Sequence, residues 1–449
     1  MESAYYYQKQ EVTIEFDCRF TVKVLECSLS EIITAFCSFL PNLLTDFIMK
    51  VLLGYAEYVM SLENKGFSCE KCWNNHHFIW KTRHGKTTRI LTIFQWVVLH
   101  QLQVQCSSCK HKFYLTRKLL GIEPMKRIPE QTRRKLGLIG SLASFRIARK
   151  IISMFGWTID KMTIWRAVQE TGKEIDFNLD PDELAHGEAD GTGIPIQGIK
   201  NRGKELKVFV QHKKGGGIRV AGVDIGNYHG GWKRLFEPAI EIMKGFKTFL
   251  LVTDGDTTIL DSLKGKVKVL FQRCLWHIPH QLKFTLWKDK VKRKSGDWLY
   301  LLAEIMEICA IRPLVDDLDV IKSMVKSKTE RLAKLILFCK DKGYRMSAEY
   351  LENARPDLFT AISNRLNGKS TSRVERLMRT VNLRINVGKW STSGALNATK
   401  IRLAYYYNGF DAQLLGDSRL APPTECRQPA INGYFGRMAG YAVNERFVV

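Results

Sequence analysis

The sequence HGEADGTGIPIQG at residues 186–198 decides the fold, together with FKTFLLVTDGD at residues 246–256. Each stretch carries an aspartate followed by glycine at the end of an expected β-strand, where the chain enters a turn. Two more strands (KELKVFVQHKK, GIRVAGVDIG) and a helix lie between them, and a helix and a fifth strand (KVKVLFQRC) follow. In this β-β-β-α-β-α-β order the first and fourth strands lie side by side, so Asp190 and Asp254 are expected to be neighbours.

A third acid, Glu375, opens the basic helical stretch TSRVERLMRTVNLRIN. Two carboxylates from strand ends and a third from a distant helix can hold a pair of Mg²⁺ ions, which polarise the attacking and leaving oxygens of a phosphodiester. Asp-Gly is also common turn chemistry, so each aspartate taken singly fits a plain turn. Three other acids compete for the role. Glu188 and Asp224 rank lower because neither ends an apolar strand as Asp254 does, and Asp256 because it falls in the following turn.

The stretch around Glu375 separates apolar from basic side chains. Its apolar stripe consists of Val374, Leu377, Met378 and Val381. Its basic stripe, which suits a track for DNA phosphates, consists of Arg373, Arg376 and Arg384. Lys389 and Trp390 follow, and an aromatic ring beside a cation could stack on a flipped or unpaired base. A solvated basic face is the alternative, because such stripes are common on exposed helices.

Four motifs carry a family resemblance: DGT around Asp190, TDGD around Asp254, QRCLWH at Gln272–His277 and SRVERLMR around Glu375. They resemble the signatures of the Mutator-like DDE transposases, a superfamily with related bacterial insertion-sequence transposases. The resemblance covers roughly residues 185–407. It implies an RNase H-like α/β catalytic domain in two parts, at 184–286 and 365–410, with an all-α insertion at 287–364.

The resemblance also implies an activity: a DNA transposase that binds transposon ends and performs Mg²⁺-dependent strand cleavage and strand transfer. Asp190, Asp254 and Glu375 would be its catalytic, metal-binding triad for two Mg²⁺ ions, for which Mn²⁺ can substitute. Cys274 and His277 would have a buried structural or substrate-orienting role, and His277 could touch the scissile phosphate. A homo-oligomer bound to double-stranded DNA is expected. A transposase-derived DNA-binding regulator and a structure-selective nuclease of the same fold are the alternatives.

Two cysteine pairs, Cys69 with Cys72 and Cys106 with Cys109, bracket a strand-rich stretch. This spacing predicts a zinc ribbon at residues 67–114, in which four thiolates surround one structural Zn²⁺ ion. Incidental thiol pairs or a redox pair are the alternative. His76, His77 and His111 lie nearby and could substitute for a sulfur, but they are interpreted as solvated or packing residues.

The region 124–175 predicts a helix-turn-helix. One helix would place Ala148, Ile151, Ile152 and Phe155 on one face and stop at Gly156. Asp160 is a good N-cap for a second helix with an inner face of Ile164, Ala167 and Val168. That helix would offer Lys161, Thr163 and Arg166 to a major groove. A helical hairpin without a DNA contact is the alternative.

Composition points to a polyanionic partner, because 69 Lys and Arg against 45 Asp and Glu give a net charge of +24. Eleven scattered cysteines and no signal peptide favour a reducing compartment. We therefore expect a cytoplasmic, nucleoid-associated protein in a prokaryote or a nuclear one in a eukaryote. Solubility alone is the alternative reading of the charge.

The two ends of the chain are the least informative parts. Residues 1–66 read as an α/β segment of unknown role, with strands in Val12–Cys27 and amphipathic helices around Pro41. Charges in this apolar region argue against a membrane span. Residues 411–449 form a tail without a strong signal. The whole is expected to be a multidomain α+β protein.

Overall fold

The computed structural model describes ten segments of the chain: 28–62, 67–75, 77–92, 95–122, 126–154, 158–199, 204–228, 230–311, 317–366 and 373–410. The strands expected in Val12–Cys27 and the tail at 411–449 lie outside these segments. Within them the chain is mixed α+β, as expected.

Helix α1 (Leu29–Ser61) is continuous and contains Pro41, so the prediction of separate helices around this proline was wrong. The proline removes one N–H, but good helix formers on both sides continue the hydrogen bonding. The second half of α1 buries Met49, Leu52, Ala56 and Val59 in a core shared with the following strands. By length and composition, α1 is the one helix among the described residues that could cross a membrane.

A small β-rich unit, the four-cysteine unit, follows α1. Its elements are β1 (Phe78–Thr82), β2 (Thr87–Leu91), β3 (Trp96–His100), β4 (Gln103–Cys106), β5 (Lys112–Tyr114) and α2 (Leu115–Leu119). Strands β1, β4 and β5 form an antiparallel sheet in the order β1-β4-β5, and β2 pairs with β3 in a hairpin. The two sheets share one core with α1.

Three helices come next: α3 (Glu130–Leu142), α4 (Phe145–Met154) and α5 (Lys161–Lys173). The Asp160 carboxylate caps α5 by accepting the N–H of Met162 at 2.7 Å, as predicted. The expected inner face of α5 is buried. On α4, however, Ile151 is 41% exposed, because only Ala148 and Ile152 turn towards the neighbouring helices. Phe155 and Gly156 lie outside the described residues.

The central element is a five-stranded sheet. Its strands are β6 (His186–Ile194), β7 (Lys204–His212), β8 (Ile218–Gly226), β9 (Phe249–Thr253) and β10 (Val269–Arg273), in the order β10-β9-β6-β7-β8. The first three are antiparallel, whereas β9 and β10 run parallel to β6. The predicted adjacency of the first and fourth strands is confirmed.

Helices cover both faces of this sheet. One face packs against α6 (Trp232–Phe236), a 3-10 turn (Glu237–Ala239), α7 (Ile240–Gly245) and α8 (Thr257–Leu263). The other packs against α14 (Val374–Ile385) and α15 (Thr392–Tyr407). Since α5 and α3 also contact α15, the three-helix region is attached to this second face.

The segment between β10 and α14 is helical throughout its described residues, as predicted. It contains α9 (His277–Lys288), α10 (Gly296–Cys309), α11 (Leu318–Asp341), α12 (Arg345–Ala354), a 3-10 turn (Arg355–Asp357) and α13 (Thr360–Ser363), around a core of its own. The buried Gln272 side chain joins this core to the sheet, because its amide donates to Leu358 O at 2.7 Å and its carbonyl accepts Ala361 N–H at 2.9 Å.

Candidate active site and metal centres

Asp190 and Asp254 lie on neighbouring strands where β9 ends, but β6 continues past Asp190 to Ile194, so the prediction that Asp190 ends its strand was wrong. Strands β6 and β9 are parallel with Glu188 opposite Val252, and two residues further along each chain are Asp190 and Asp254. Asp190 is only 8% exposed, whereas Asp254 follows the strand end and is exposed. The turn after Asp254 is held by its own carboxylate, which accepts the N–H of Asp256 at 2.9 Å.

Helix α14 delivers the third acid to the same site. Its buried stripe packs on the sheet, so Glu375 in the first turn lies close to Asp190 in β6. The ligand atoms of Asp190, His277 and Glu375 all lie within 4.8 Å of one another. The structure therefore brings together residues that are far apart in sequence, with Asp254 on the adjoining strand.

His277 is closer to the acids than the sequence indicated. Its Nε2 lies 2.8 Å from Glu375 Oε1. The turn that carries it is fixed to the sheet, because Cys274 N–H donates to Thr253 O at 2.7 Å, directly before Asp254. Cys274 is buried, in line with a structural role.

Burial has the largest effect on the electrostatics of this site. It raises the pKa of Asp190 well above its ordinary value; the charge of His277 opposes this shift, and the charges of Glu375 and Asp254 add to it. Burial alone would also raise the pKa of Glu375, but the hydrogen bond from His277 lowers it. Although burial opposes it, contact with Cys274 and Glu375 raises the pKa of His277 to about 11. A bound cation would relieve the repulsion between the carboxylates.

This donor set fits a hard divalent cation. Asp190, Asp254 and Glu375 supply the carboxylate oxygens that Mg²⁺ and Mn²⁺ prefer. The contact with Glu375 favours the protonated form of His277, which gives that acid a positive partner rather than offering a metal a free nitrogen ligand. The three acids could therefore hold metal ions at the exposed edge of the sheet.

The three competing acids are engaged elsewhere. Asp224 pairs with Arg234 at 2.6 Å, and Asp256 caps α8 by accepting the N–H of Thr258 at 2.9 Å. Glu188 is fully buried and binds His212 and the backbone of α14. Their lower rank in the sequence analysis agrees with these contacts.

A buried cluster of His186, Glu188 and His212 lies behind the acids and was not predicted from the sequence. Glu188 Oε1 lies 2.7 Å from His212 Nε2, and its Oε2 accepts Val374 N–H at 2.9 Å, one residue before Glu375. The rings of His186 and His212 stack with centroids 3.8 Å apart. Glu188 thus holds the start of α14 on the sheet. The signal in the sequence was the alternation of His186, Glu188 and Asp190, which places all three on one face of β6.

Acid should destabilise the protein through this cluster. Burial, with the charges of His212 and Arg373, lowers the pKa of His186 to about 3. Because an unfolded histidine titrates near about 6.5, the unfolded chain binds a proton that the folded chain excludes, and stability falls as pH drops from about 6.5 towards 3. The contribution is at most about 5 kcal/mol.

His186→Phe keeps a ring beside His212 and removes this titration. Urea unfolding of both proteins between about pH 7 and about pH 4.5 checks the effect. The variant should lose less stability over that interval than the unsubstituted protein. Equal losses in the two proteins would contradict the role of His186.

Two expected DNA-binding residues, Arg384 of the basic stripe and the stacking candidate Trp390, are not at the surface, so their predicted role was wrong. Arg384 is 3% exposed and Trp390 is 7% exposed. The Arg384 guanidinium lies 4.4 Å from the Trp390 ring centroid and donates to Gly140 O, near the end of α3, at 3.2 Å. The C-terminal turn of α3, rather than DNA, covers this side of α14. The last carbonyl groups of α3 have no partner within their own helix, and the Arg384 guanidinium supplies a donor.

Replacing Arg384 should destabilise the fold rather than weaken DNA binding alone. Arg384→Ala removes the bond to Gly140 and the contact with Trp390, and we expect a loss of about 2–4 kcal/mol in the free energy of unfolding. Arg376→Ala, an exposed arginine on the same helix, should change it by less than about 0.5 kcal/mol. Denaturant unfolding of the two variants measures this, and equal stabilities would contradict the packing role.

The other predicted DNA-binding residues remain accessible. On α14 and after it, Arg376 and Lys389 are exposed and Arg373 is half-buried. On α5, Lys161 and Arg166 are exposed and Thr163 is half-buried. Their position on the surface leaves them free to contact a partner, and their role stays a prediction.

The four predicted cysteines converge on one point. Cys69 and Cys72 lie in the turn before β1, Cys106 ends β4, and Cys109 lies in the turn between β4 and β5. The Sγ atoms are 3.5 Å apart for Cys69 and Cys109, and 3.6 Å for Cys72 and Cys106. Tetrahedral Zn²⁺ with bonds of about 2.3 Å requires separations near 3.8 Å, whereas a disulfide requires about 2 Å.

The two cysteine turns also repeat one backbone geometry. Trp73 N–H donates to Cys69 O and Lys110 N–H to Cys106 O, both at 3.0 Å, and both donors have positive φ. Burial would raise the pKa of Cys106, but backbone N–H groups of Cys109 and Ser108 lower it to about 6. The backbone of Asn74 would lower the pKa of Cys72, but the neighbouring thiols raise it to about 12. Amide donors that stabilise a thiolate favour metal binding, so this cluster could hold a metal ion such as zinc.

Comparison of the sequence with protein-family models and with curated proteins finds no match in either case. The resemblance to Mutator-like transposases therefore depends on the quoted motifs.

Proposed function

We propose that the chain is a DDE transposase, which binds transposon ends and catalyses Mg²⁺-dependent cleavage and transfer of DNA strands. The observation that carries this proposal is the convergence of Asp190 and Glu375 beside His277, with Asp254 close enough to raise the pKa of Asp190. The strand order β10-β9-β6-β7-β8, with β9 and β10 parallel to β6, supports an RNase H-like catalytic domain. The helical segment before α14 supports the expected insertion.

Mechanism follows from the residues of the site. Asp190, Asp254 and Glu375 would hold two Mg²⁺ ions, which would activate the attacking water or 3′-OH and stabilise the leaving oxygen. Glu188 orients Glu375 through the first turn of α14. The protonated His277 balances the charge of Glu375 and can turn towards a scissile phosphate. Arg376 and Lys389 would contact backbone phosphates near the acids.

The remaining parts suit recognition of DNA. In this proposal the four-cysteine unit is a zinc ribbon, and α4 with α5 forms a helix-turn-helix whose exposed Lys161, Thr163 and Arg166 read a major groove. The net charge of +24 supports a double-stranded DNA partner. A homo-oligomer on DNA, in the nucleoid or nucleus, remains part of the proposal.

Incubation with DNA from both flanks of the coding region tests the function. Duplexes that carry any inverted repeats in those flanks should be nicked with Mg²⁺, and the new 3′-OH end should be joined to a supercoiled plasmid. Scrambled duplexes of equal length are the control. Cleavage without joining would favour a nuclease, and sequence-specific binding without cleavage would favour a regulator.

A further inference from the structure

Helix α9 carries an unusual row of exposed rings. Trp276, immediately before the helix, and Phe284 and Trp287 within it are 47%, 61% and 72% exposed. With His280, whose ring centroid is 4.1 Å from that of Trp276, they are spaced four, four and three residues apart. We call these four side chains the aromatic face of α9. This spacing places all four on one side of the helix.

Packing among the residues that the structure describes does not account for this face. The opposite side of α9 already buries Ile278, Leu282 and Leu286 in the helical core. A helix that is apolar on both sides is normally enclosed on both, and a row of exposed rings marks a binding surface.

Charge identifies the class of ligand. Exposed cations flank the aromatic face in the segment 276–294: Lys283, Lys288, Lys290, Lys292, Arg293 and Lys294. The segment contains a single acid, Asp289, whose carboxylate accepts the N–H groups of Met346 and Ser347 at 2.9 and 2.8 Å. Such a surface would repel a second copy of itself and attract a polyanion.

Rings combined with lysines suit one polyanion in particular. In a double helix the base faces are stacked on each other and unavailable, whereas an unpaired strand offers them to aromatic side chains. We propose that the aromatic face of α9 binds unpaired nucleotides of a DNA strand. The sequence-based candidate for such stacking, Trp390, is buried beneath Arg384 and cannot serve.

The position of the face connects it to the acids. Trp276 precedes His277, whose Nε2 contacts Glu375, so nucleotides on the face would lead directly to the cleavage site. The inference rests on the proposed function, because strand opening beside the cleaved bond would produce the unpaired nucleotides. Its binding assay, however, needs no cleavage.

Fluorescence anisotropy with labelled (dT)20 and a labelled 20-base-pair duplex, with Ca²⁺ in place of Mg²⁺, tests this surface on the full-length, zinc-loaded protein. The double variant Phe284→Ala/Trp287→Ala should bind (dT)20 at least about tenfold more weakly, while duplex affinity changes less than about twofold. Trp287→Phe should retain most of the binding. The matched control is Leu337→Ala, a 58% exposed apolar side chain on α11.

Three outcomes would overturn the inference. They are unchanged (dT)20 affinity in the double variant, an equal loss for both DNAs, and dissociation of an oligomer on substitution, which would make the face a subunit interface. Failure of the proposed function is a separate result. If (dT)20 binding follows the expected pattern while variants of the three acids keep full cleavage, the aromatic face stands and the assignment of the acids fails.

Discussion

Removal of zinc should unfold the four-cysteine unit while the central sheet stays folded. Structural zinc sites contribute an apparent ~10–16 kcal/mol of binding free energy, and that energy is lost with the ion. The unit has its own core, shared with α1 but separate from the cores around the sheet. Hydrogen exchange after chelation should therefore rise sharply in residues 77–122 and in the second half of α1, and little in β6–β10.

Metal analysis provides the control for this expectation. One zinc ion per chain should copurify with the protein, and Cys69→Ser/Cys106→Ser should abolish it. Cys309→Ser changes a cysteine of the helical segment and should leave the zinc content intact. Protein that purifies without zinc, or a double variant that keeps it, would remove the metal from this unit.

Substitution of any one of the three acids should abolish cleavage. Because metal coordination contributes several kcal/mol to the transition state, Asp190→Asn, Asp254→Asn and Glu375→Gln should each lower the rate of Mg²⁺-dependent cleavage by at least about 10³-fold. DNA affinity should change by less than about twofold, since the acids do not contact phosphates without metal. Single-turnover cleavage of the flanking duplex measures the rate.

The matched control is Asp224→Asn, which replaces an acid of the same sheet that pairs with Arg234. It should cleave normally. Melting temperatures separate chemistry from unfolding: Asp190→Asn removes a buried, crowded carboxylate and should melt no lower than the unsubstituted protein. Near-normal cleavage by one of the three variants would exclude that residue from the site.

Much of the site could be predicted from local patterns. Apolar runs indicated the strands, and their β-β-β-α-β-α-β order predicted that β6 and β9 are adjacent, so Asp190 and Asp254 were expected to be neighbours. The spacing of the two cysteine pairs likewise predicted that the four cysteines converge. Both features depend on short segments whose geometry is set by their own residues.

Other features depend on packing between distant segments and were missed. A helical stripe shows which side chains share a face, but it does not show that the end of α3 covers Arg384 and Trp390. The contact of His277 with Glu375 and that of Glu188 with Val374 join residues 98 and 186 positions apart. No local pattern encodes such a contact. A stripe of arginines therefore gives the same sequence pattern whether that face of the helix is solvated or buried.

The central claim is that Asp190, Asp254 and Glu375 hold divalent metal ions, and Mn²⁺ binding tests it most directly. Electron paramagnetic resonance reports free Mn²⁺ during titration of the full-length, zinc-loaded protein on flanking DNA. We expect two Mn²⁺ ions per chain for the unsubstituted protein and for Asp224→Asn, and a loss of tight binding in Asp190→Asn and in Glu375→Gln. The same Mn²⁺ stoichiometry and affinity in all four proteins would contradict the claim.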